Sequence, residues 1–120
     1  MAATAAGDPR AEQFEAALRR DDPFELQELI LDVALESDRR EWAEWACTVL
    51  ARHRNATVRG NALLGFGHLA RRFGFVDPKR ARPLIETGLH SHHEFVRAQA
   101  ESAADDVDAY LSWGVARPSR

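Results

Sequence analysis

Apolar residues recur every three to four positions along most of this chain, which is the pattern of helices that bury one face. The clearest stretch runs from Asn55 to Phe73, where Val58, Ala62 and Leu69 fall on one side of a helix. No segment alternates apolar and polar residues with a period of two over a useful length. The hydrophobic pattern therefore predicts an all-α protein.

Capping residues divide this pattern into six helices. Asp-Pro pairs near Asp8, Asp22 and Asp77 supply an N-cap and a proline at the first helical position. Ser37 or Asp38 is expected to cap the third helix. The expected helices are residues 9–20, 23–36, 38–53, 55–73, 78–89 and 94–112.

The stretch from residue 55 to residue 73 has a second copy 38 residues later in the chain. The matched positions are Val58 and Val96, Arg59 and Arg97, Ala62 and Ala100, Gly65 and Ala103, Leu69 and Val107, and Phe73 and Leu111. A repeat of fixed period predicts stacked helical hairpins, since one hairpin alone cannot bury its apolar face. We expect a short α-solenoid of three antiparallel pairs, 9–36, 38–73 and 78–112, in a single domain, 8–113. Residues 1–7 and 114–120 are expected to be flexible ends.

The two copies resemble the second helix of HEAT-like, armadillo-type repeats. The shared pattern is a capping residue, then Val-Arg, then Ala and a small residue, as in segments 55–65 and 94–103. The resemblance covers about two thirds of the chain and is poor in the first pair, where residues 23–26 lack the Val-Arg. It implies a fold that presents a preformed binding surface.

A narrower resemblance concerns segment 58–71 together with segment 100–106. These stretches are similar to small bacterial HEAT-like proteins found beside polymorphic or contact-dependent growth-inhibition toxins, some of which are immunity proteins. The resemblance implies a binding module, monomeric when free, that neutralises a toxin C-terminal domain. The main alternative is a HEAT-like scaffold or adaptor without a toxin partner. Lyase-like and nucleic-acid-binding HEAT-like proteins are further alternatives.

The resemblance also indicates where a partner would bind. In a HEAT-like stack the second helix of each pair lines the concave face, so its positions outside the core would form a groove. The expected partner-binding residues are Asn61, His68, Arg72, Gln99, Ser102, Asp106 and Tyr110. A secondary set is Glu101, Asp105 and Trp113. The alternative interpretation is an ordinary solvated face, which is the common role of charged helix surfaces.

Two arginines at matched positions call for a structural explanation. Arg59 and Arg97 lie in the first turn of their helices, where a cation is unfavourable against the helix dipole. We therefore expect each guanidinium to bind a carboxylate or a free carbonyl of the neighbouring repeat. On this interpretation both residues are structural.

Composition and charge narrow the classes of function. The chain has 120 residues and a formal net charge of −3, whereas nucleic-acid-binding domains usually carry a basic excess. Residues 1–40 carry a net charge of −5, residues 41–80 carry +4 and residues 81–120 carry −2, so acidic ends could steer a basic partner. The acidic net charge predicts no nucleic-acid partner. Because the sequence shows no membrane-length apolar run and no signal peptide, we expect a cytoplasmic protein with no membrane partner.

No set of residues points to catalysis, a cofactor or a metal. The histidines of the turn 90–93 have no cysteine or further histidine nearby in sequence to complete a zinc site. His68 and Asp106 could pair as a base and its orienting acid, but no nucleophile accompanies them. We therefore expect a protein that is not an enzyme and holds no metal or cofactor.

Overall fold

Six helices account for most of residues 7–119, the part of the chain that the computed structural model describes. They are α1 (Ala11–Arg20), α2 (Pro23–Glu36), α3 (Arg40–Leu50), α4 (Ala56–Phe73), α5 (Pro78–Leu89) and α6 (Glu94–Leu111). No strand occurs within those described residues. The prediction of an all-α fold with six helices is therefore confirmed, and the helix ends lie within about three residues of the expected ones.

Side-chain caps explain where three of the six helices begin. The side chains of Asp22, Asn55 and Asp77 each accept a hydrogen bond from a backbone N–H two or three residues on. Helix α1 begins at Ala11, later than expected, and has no side-chain cap, although the Asp8 carboxylate accepts a hydrogen bond from a backbone amide in the preceding turn. Side-chain capping thus sets the starts of α2, α4 and α5, as the sequence predicts.

The start of α3 differs from the expectation that Ser37 or Asp38 would cap it. The N-cap position is Arg39, and no side chain caps the helix there. Ser37 is buried, donates its hydroxyl hydrogen to the Asp8 carboxylate and accepts a hydrogen bond from the Arg39 amide. The serine therefore joins the start of α1 to the α2–α3 turn instead of capping α3.

The helices form two layers, α1, α3 and α5 in one and α2, α4 and α6 in the other. Helix α4 lies between α2 and α6 and also contacts α3 and α5. Asn61, near the start of α4, donates to the Gln27 carbonyl of α2, whereas Arg72, in the last turn of α4, donates to the Ala34 carbonyl. Because both contacts advance along the chain together, α2 and α4 run parallel.

One apolar core lies between the two layers. Phe14 of α1 packs edge-on against Trp42 and Trp45 of α3, with ring centroids 5.8 Å apart in each pair. Trp42 is buried and Trp45 is partly buried, as their spacing along α3 predicts. The radius of gyration, 13.3 Å, is that of a compact domain of this size.

The segment after α6 is packed against the helices. Ser112 ends α6 in the left-handed conformation, and the buried Val115 donates its amide to Asp108. Arg82 of α5 donates to the Trp113 carbonyl at 2.6 Å. The loose tail expected from residue 114 onward is thus docked as far as residue 117. Residues 1–6 of the expected flexible N-terminus, and residue 120, lie outside the described residues.

Within residues 7–119, no helix combines the length and the apolar character needed to cross a bilayer.

Glycines allow α4 to approach its neighbours closely. A Cβ atom built on Gly65 would lie 2.7 Å from the Cys47 sulfur and 3.3 Å from the Ala34 Cβ, both of which are buried. A Cβ on Gly60 would meet the ring of Phe95, which is only partly buried and can turn outward. The first glycine is therefore required by packing, while the second faces a neighbour that can move.

We predict that Gly65→Ala lowers the free energy of unfolding by about 1–3 kcal/mol, because overpacking outweighs the higher helix propensity of alanine. Gly60→Ala, the matched control, should change it by less than about 1 kcal/mol. Urea unfolding of both variants measures the difference. Equal effects would show that Gly65 is not a site of close packing.

Candidate partner-binding face

An exposed apolar ridge runs along α2 on the side away from the core. Phe24, Leu31 and Leu35 stand seven and four residues apart, which places them on one side of the helix, opposite the buried Leu26 and Ile30. Phe24 is 77% exposed and Leu35 is 42% exposed. This ridge forms one flank of the solvent side of the α2–α4–α6 layer.

Helices α4 and α6 complete the same surface. On α4, Leu64 and His68 lie one turn apart and are partly exposed. On α6, Ser102, Asp106 and Tyr110 follow one another at four-residue spacing, and Tyr110 is 52% exposed. We call the solvent side of this layer the outer face. It is made of Phe24, Leu31, Leu35, Leu64, His68, Arg71, Ser102, Asp106 and Tyr110.

A polar cluster occupies the middle of the outer face. The Arg71 guanidinium donates to His68 Nδ1 at 2.7 Å and lies 3.7 Å from the Asp106 carboxylate. Burial lowers the pKa of His68, and the neighbouring Arg71 lowers it further, while Asp106 acts in the opposite direction. The expected neighbours His68 and Asp106 are therefore bridged by Arg71, which the groove prediction did not include.

Three of the expected partner-binding residues join helices to one another. Asn61 is 8% exposed, donates to the Gln27 carbonyl at 2.9 Å and accepts a hydrogen bond from Gln99 at 3.4 Å. Arg72 donates to the Ala34 and Ser37 carbonyls at 2.8 and 2.9 Å. The Arg72 side chain, expected to face a partner, therefore binds the end of α2.

The secondary set of expected residues lies at the other edge of α6. Arg117 pairs with Asp105 at 2.7 Å and with Asp108 at 3.1 Å. The Arg82 guanidinium lies 5.6 Å from the centre of the Trp113 ring, and Trp113 is partly buried. Glu101 is exposed. Arg117 thus partly neutralises Asp105 and Asp108. The negative charge at this edge of α6 therefore steers a basic partner less strongly than the sequence suggests.

Arg59 and Arg97 bind backbone carbonyls in the turns that precede their own helices. Arg59 Nη1 donates to the carbonyls of His53 and Arg54 at 3.1 and 2.9 Å. Arg97 Nη1 donates to the Ser91 carbonyl at 2.8 Å. The expected partner type, a free carbonyl, is present, but it belongs to the same hairpin and not to the neighbouring repeat.

The described residues show no constellation suited to metal binding or nucleophilic chemistry. No group of three or more His, Cys, Asp or Glu side chains between residues 7 and 119 is placed to hold a metal ion. Burial raises the pKa of the Cys47 thiol far above its usual range, which keeps the sulfur protonated and unreactive.

Comparisons with known proteins give no match. No protein-family model matches the chain, and neither the curated proteins nor the solved structures include a significant match. The resemblance to HEAT-like repeats and to immunity proteins therefore stays a prediction from the sequence.

The apolar ridge of α2 was missed because the sequence analysis followed the repeat. The first hairpin lacks the Val-Arg pattern, so no groove position was transferred to α2. The available signal was the spacing of Phe24, Leu31 and Leu35, three large apolar residues on the polar side of an otherwise amphipathic helix.

We predict that Arg72→Ala lowers the free energy of unfolding by about 1–3 kcal/mol, because it removes two hydrogen bonds and leaves carbonyls at the end of α2 unpaired. Arg71→Ala is the matched control, and its loss should be below about 1 kcal/mol because Arg71 is exposed. Denaturant unfolding compares the two variants. A larger loss for Arg71→Ala would refute this division of roles.

The lowered pKa of His68 predicts a loss of stability in mild acid. The folded protein favours neutral His68, so its contribution to stability is complete above the ordinary pKa of 6.5 and declines as the pH falls below that value. His68→Gln should weaken this pH dependence. An NMR titration should give His68 a pKa below 6.5, and a value above it would contradict the inferred burial effect.

Proposed function

We propose that the chain is a protein-binding module that docks a partner on its outer face. The observation that carries the proposal is the distribution of exposed apolar side chains. Among the described residues, three of the four large apolar side chains that are exposed, Phe24, Leu35 and Tyr110, belong to this face. Aromatic residues and arginine are enriched where partners bind most tightly.

The proposal includes the finer architecture that the repeat suggests, a HEAT-like solenoid of three stacked hairpins. The 38-residue period supports it, as do the parallel course of α2 and α4 and the two layers of alternate helices. In such a stack the even-numbered helices form one continuous surface. Because helices build this surface, little ordering entropy is lost when a partner docks.

The surface is large enough for a specific complex. The molecule measures 41 × 28 × 22 Å, and a standard interface takes about 800 Å² from each partner. Apolar anchors on α2 and Tyr110 on α6 flank the polar cluster of His68, Arg71 and Asp106. This arrangement fits a partner with apolar contacts on both sides of a hydrogen-bonding centre.

We propose that the partner is a bacterial toxin domain, which makes the chain an immunity protein. The resemblance of segments 58–71 and 100–106 to HEAT-like immunity proteins supports this assignment. A rigid face that covers the toxin surface could block its activity with no chemistry from the module itself. Where no such toxin exists, the same face suits a scaffold or adaptor.

The first test is whether a toxin gene lies beside the gene for this chain, and the second is co-expression with the C-terminal domain of that toxin. We predict that this chain restores growth and forms a complex with that domain. Phe24→Asp should weaken binding by about 2 kcal/mol, about thirty-fold, because it removes an exposed anchor. The substitution should leave the fold intact, since an acid is favourable in the first turn of α2.

Phe75→Asp is the matched control, because Phe75 is 49% exposed but lies in the α4–α5 connection, away from the outer face. It should leave affinity and growth unchanged. If soluble wild-type protein fails to restore growth and binds no toxin domain, the immunity assignment is wrong. If binding occurs but only Phe75→Asp weakens it, the docking face is wrong.

A further inference from the structure

A cleft of about 590 Å³ lies between the second and third hairpins, at the end where their turns meet. Ala51, Leu63, Leu84 and Val96 supply much of its lining, and they come from four different structural elements. None of these residues belongs to the outer face. The volume is typical of sites for small molecules.

Arg59 is one of the residues that line this cleft, and its guanidinium is held in a fixed position. Arg59 Nη1 is held by the carbonyls of His53 and Arg54. Among residues 7–119, Nε and Nη2 of Arg59 have no hydrogen-bond partner. The side chain is therefore anchored on one nitrogen while its remaining N–H groups are available to an anion.

The matched arginine has a different environment. Arg97 lines a second cavity together with three carboxylates, Glu94, Glu101 and Asp105. The Arg59 cleft contains one carboxylate, Glu86, and adds the imidazoles of His90 and His92. The repeat thus places two arginines alike, but the cavity of Arg97 has more carboxylates than the cleft of Arg59, and it also contains a second arginine, Arg117.

We propose that the cleft binds a free aliphatic monocarboxylate of medium chain length. The carboxylate would pair with the available N–H groups of Arg59. The hydrocarbon chain would lie on the partly exposed Leu84, with the buried Leu63 and Val96 beneath it. An apolar lining with one anchored cation suits this chemistry, because the two parts of the ligand meet matching groups. Glu86 opposes the anion, which makes its removal a diagnostic change. This inference does not depend on the partner of the outer face.

The test uses octanoate as the probe, followed by calorimetry and by amide NMR of the full chain. Octanoate should bind saturably at one site, with shifts confined to residues around the cleft. Hexanoate should bind more weakly by roughly fourfold for each methylene lost, because each buried methylene contributes about that factor. Octanol, which has the same chain without the charge, should bind at least about tenfold more weakly.

Matched variants separate the roles of the lining residues. Arg59→Gln should weaken octanoate binding at least about tenfold, whereas Arg71→Gln, which changes an exposed arginine of the outer face, should leave it unchanged. Glu86→Gln should strengthen binding, because it removes the opposing charge. Thr87→Trp should abolish it by filling the cleft, since Thr87 is an exposed lining residue whose replacement leaves the core intact.

Several results would overturn the proposal. They are an absence of saturable octanoate binding at millimolar concentration, equal binding of octanol, and an equal loss for Arg71→Gln. Weaker binding by Glu86→Gln would point to a zwitterionic ligand instead. Tighter binding of a peptide with an apolar C-terminal residue than of octanoate would reassign the cleft to a protein terminus. If Arg59→Gln does not fold, the Glu86→Gln and Thr87→Trp variants decide the outcome.

Discussion

The close packing around α4 is the constraint on which the rest of the structure depends. This helix contacts α2, α3, α5 and α6, and its glycines remove the side chains that would hold those neighbours apart. Two polar side chains then fix its position along α2, since Asn61 and Arg72 donate to carbonyls near opposite ends of that helix. Apolar burial holds the layers together. The two hydrogen-bonding contacts define the register between hairpins one and two, because they lie about three turns apart on α4.

The same constraint decides which polar residues remain available for binding. Asn61 and Arg72 occupy the strip of α4 that faces α2, so their donors are used within the fold. His68 and Arg71 lie nearer the solvent, and Arg71 extends toward Asp106 of α6. Adjacent arginines in one helical turn therefore have different roles, because a step of one residue turns the side chain by about 100°. Packing, more than residue type, separates binding candidates from structural residues.

The fold was more predictable than the candidate site, because helices depend on nearby residues in the sequence whereas surface contacts depend on neighbouring helices. Periodicity and capping are local properties, so the caps at Asp22, Asn55 and Asp77 and the six helices follow from short stretches of sequence. The partners of a surface side chain depend on the neighbouring helix, which a 38-residue period does not specify. Arg59 illustrates the limit. Its first-turn position implied a carboxylate or a carbonyl of the neighbouring repeat, whereas the structure shows carbonyls in the turn that precedes its own helix.

The composition of the outer face has a consequence for specificity. Its apolar side chains lie on α2 and at Tyr110, while the centre holds a hydrogen-bonded His68, Arg71 and Asp106. A partner that covers the whole face removes water from that centre and must satisfy the donors and acceptors that are left unpaired. A flat apolar partner would gain binding free energy at the apolar flanks but lose it at the centre, where polar groups would be left unpaired. A partner with a matching polar group would gain binding free energy at both places. Discrimination therefore arises mainly from the polar centre, and affinity mainly from the apolar flanks.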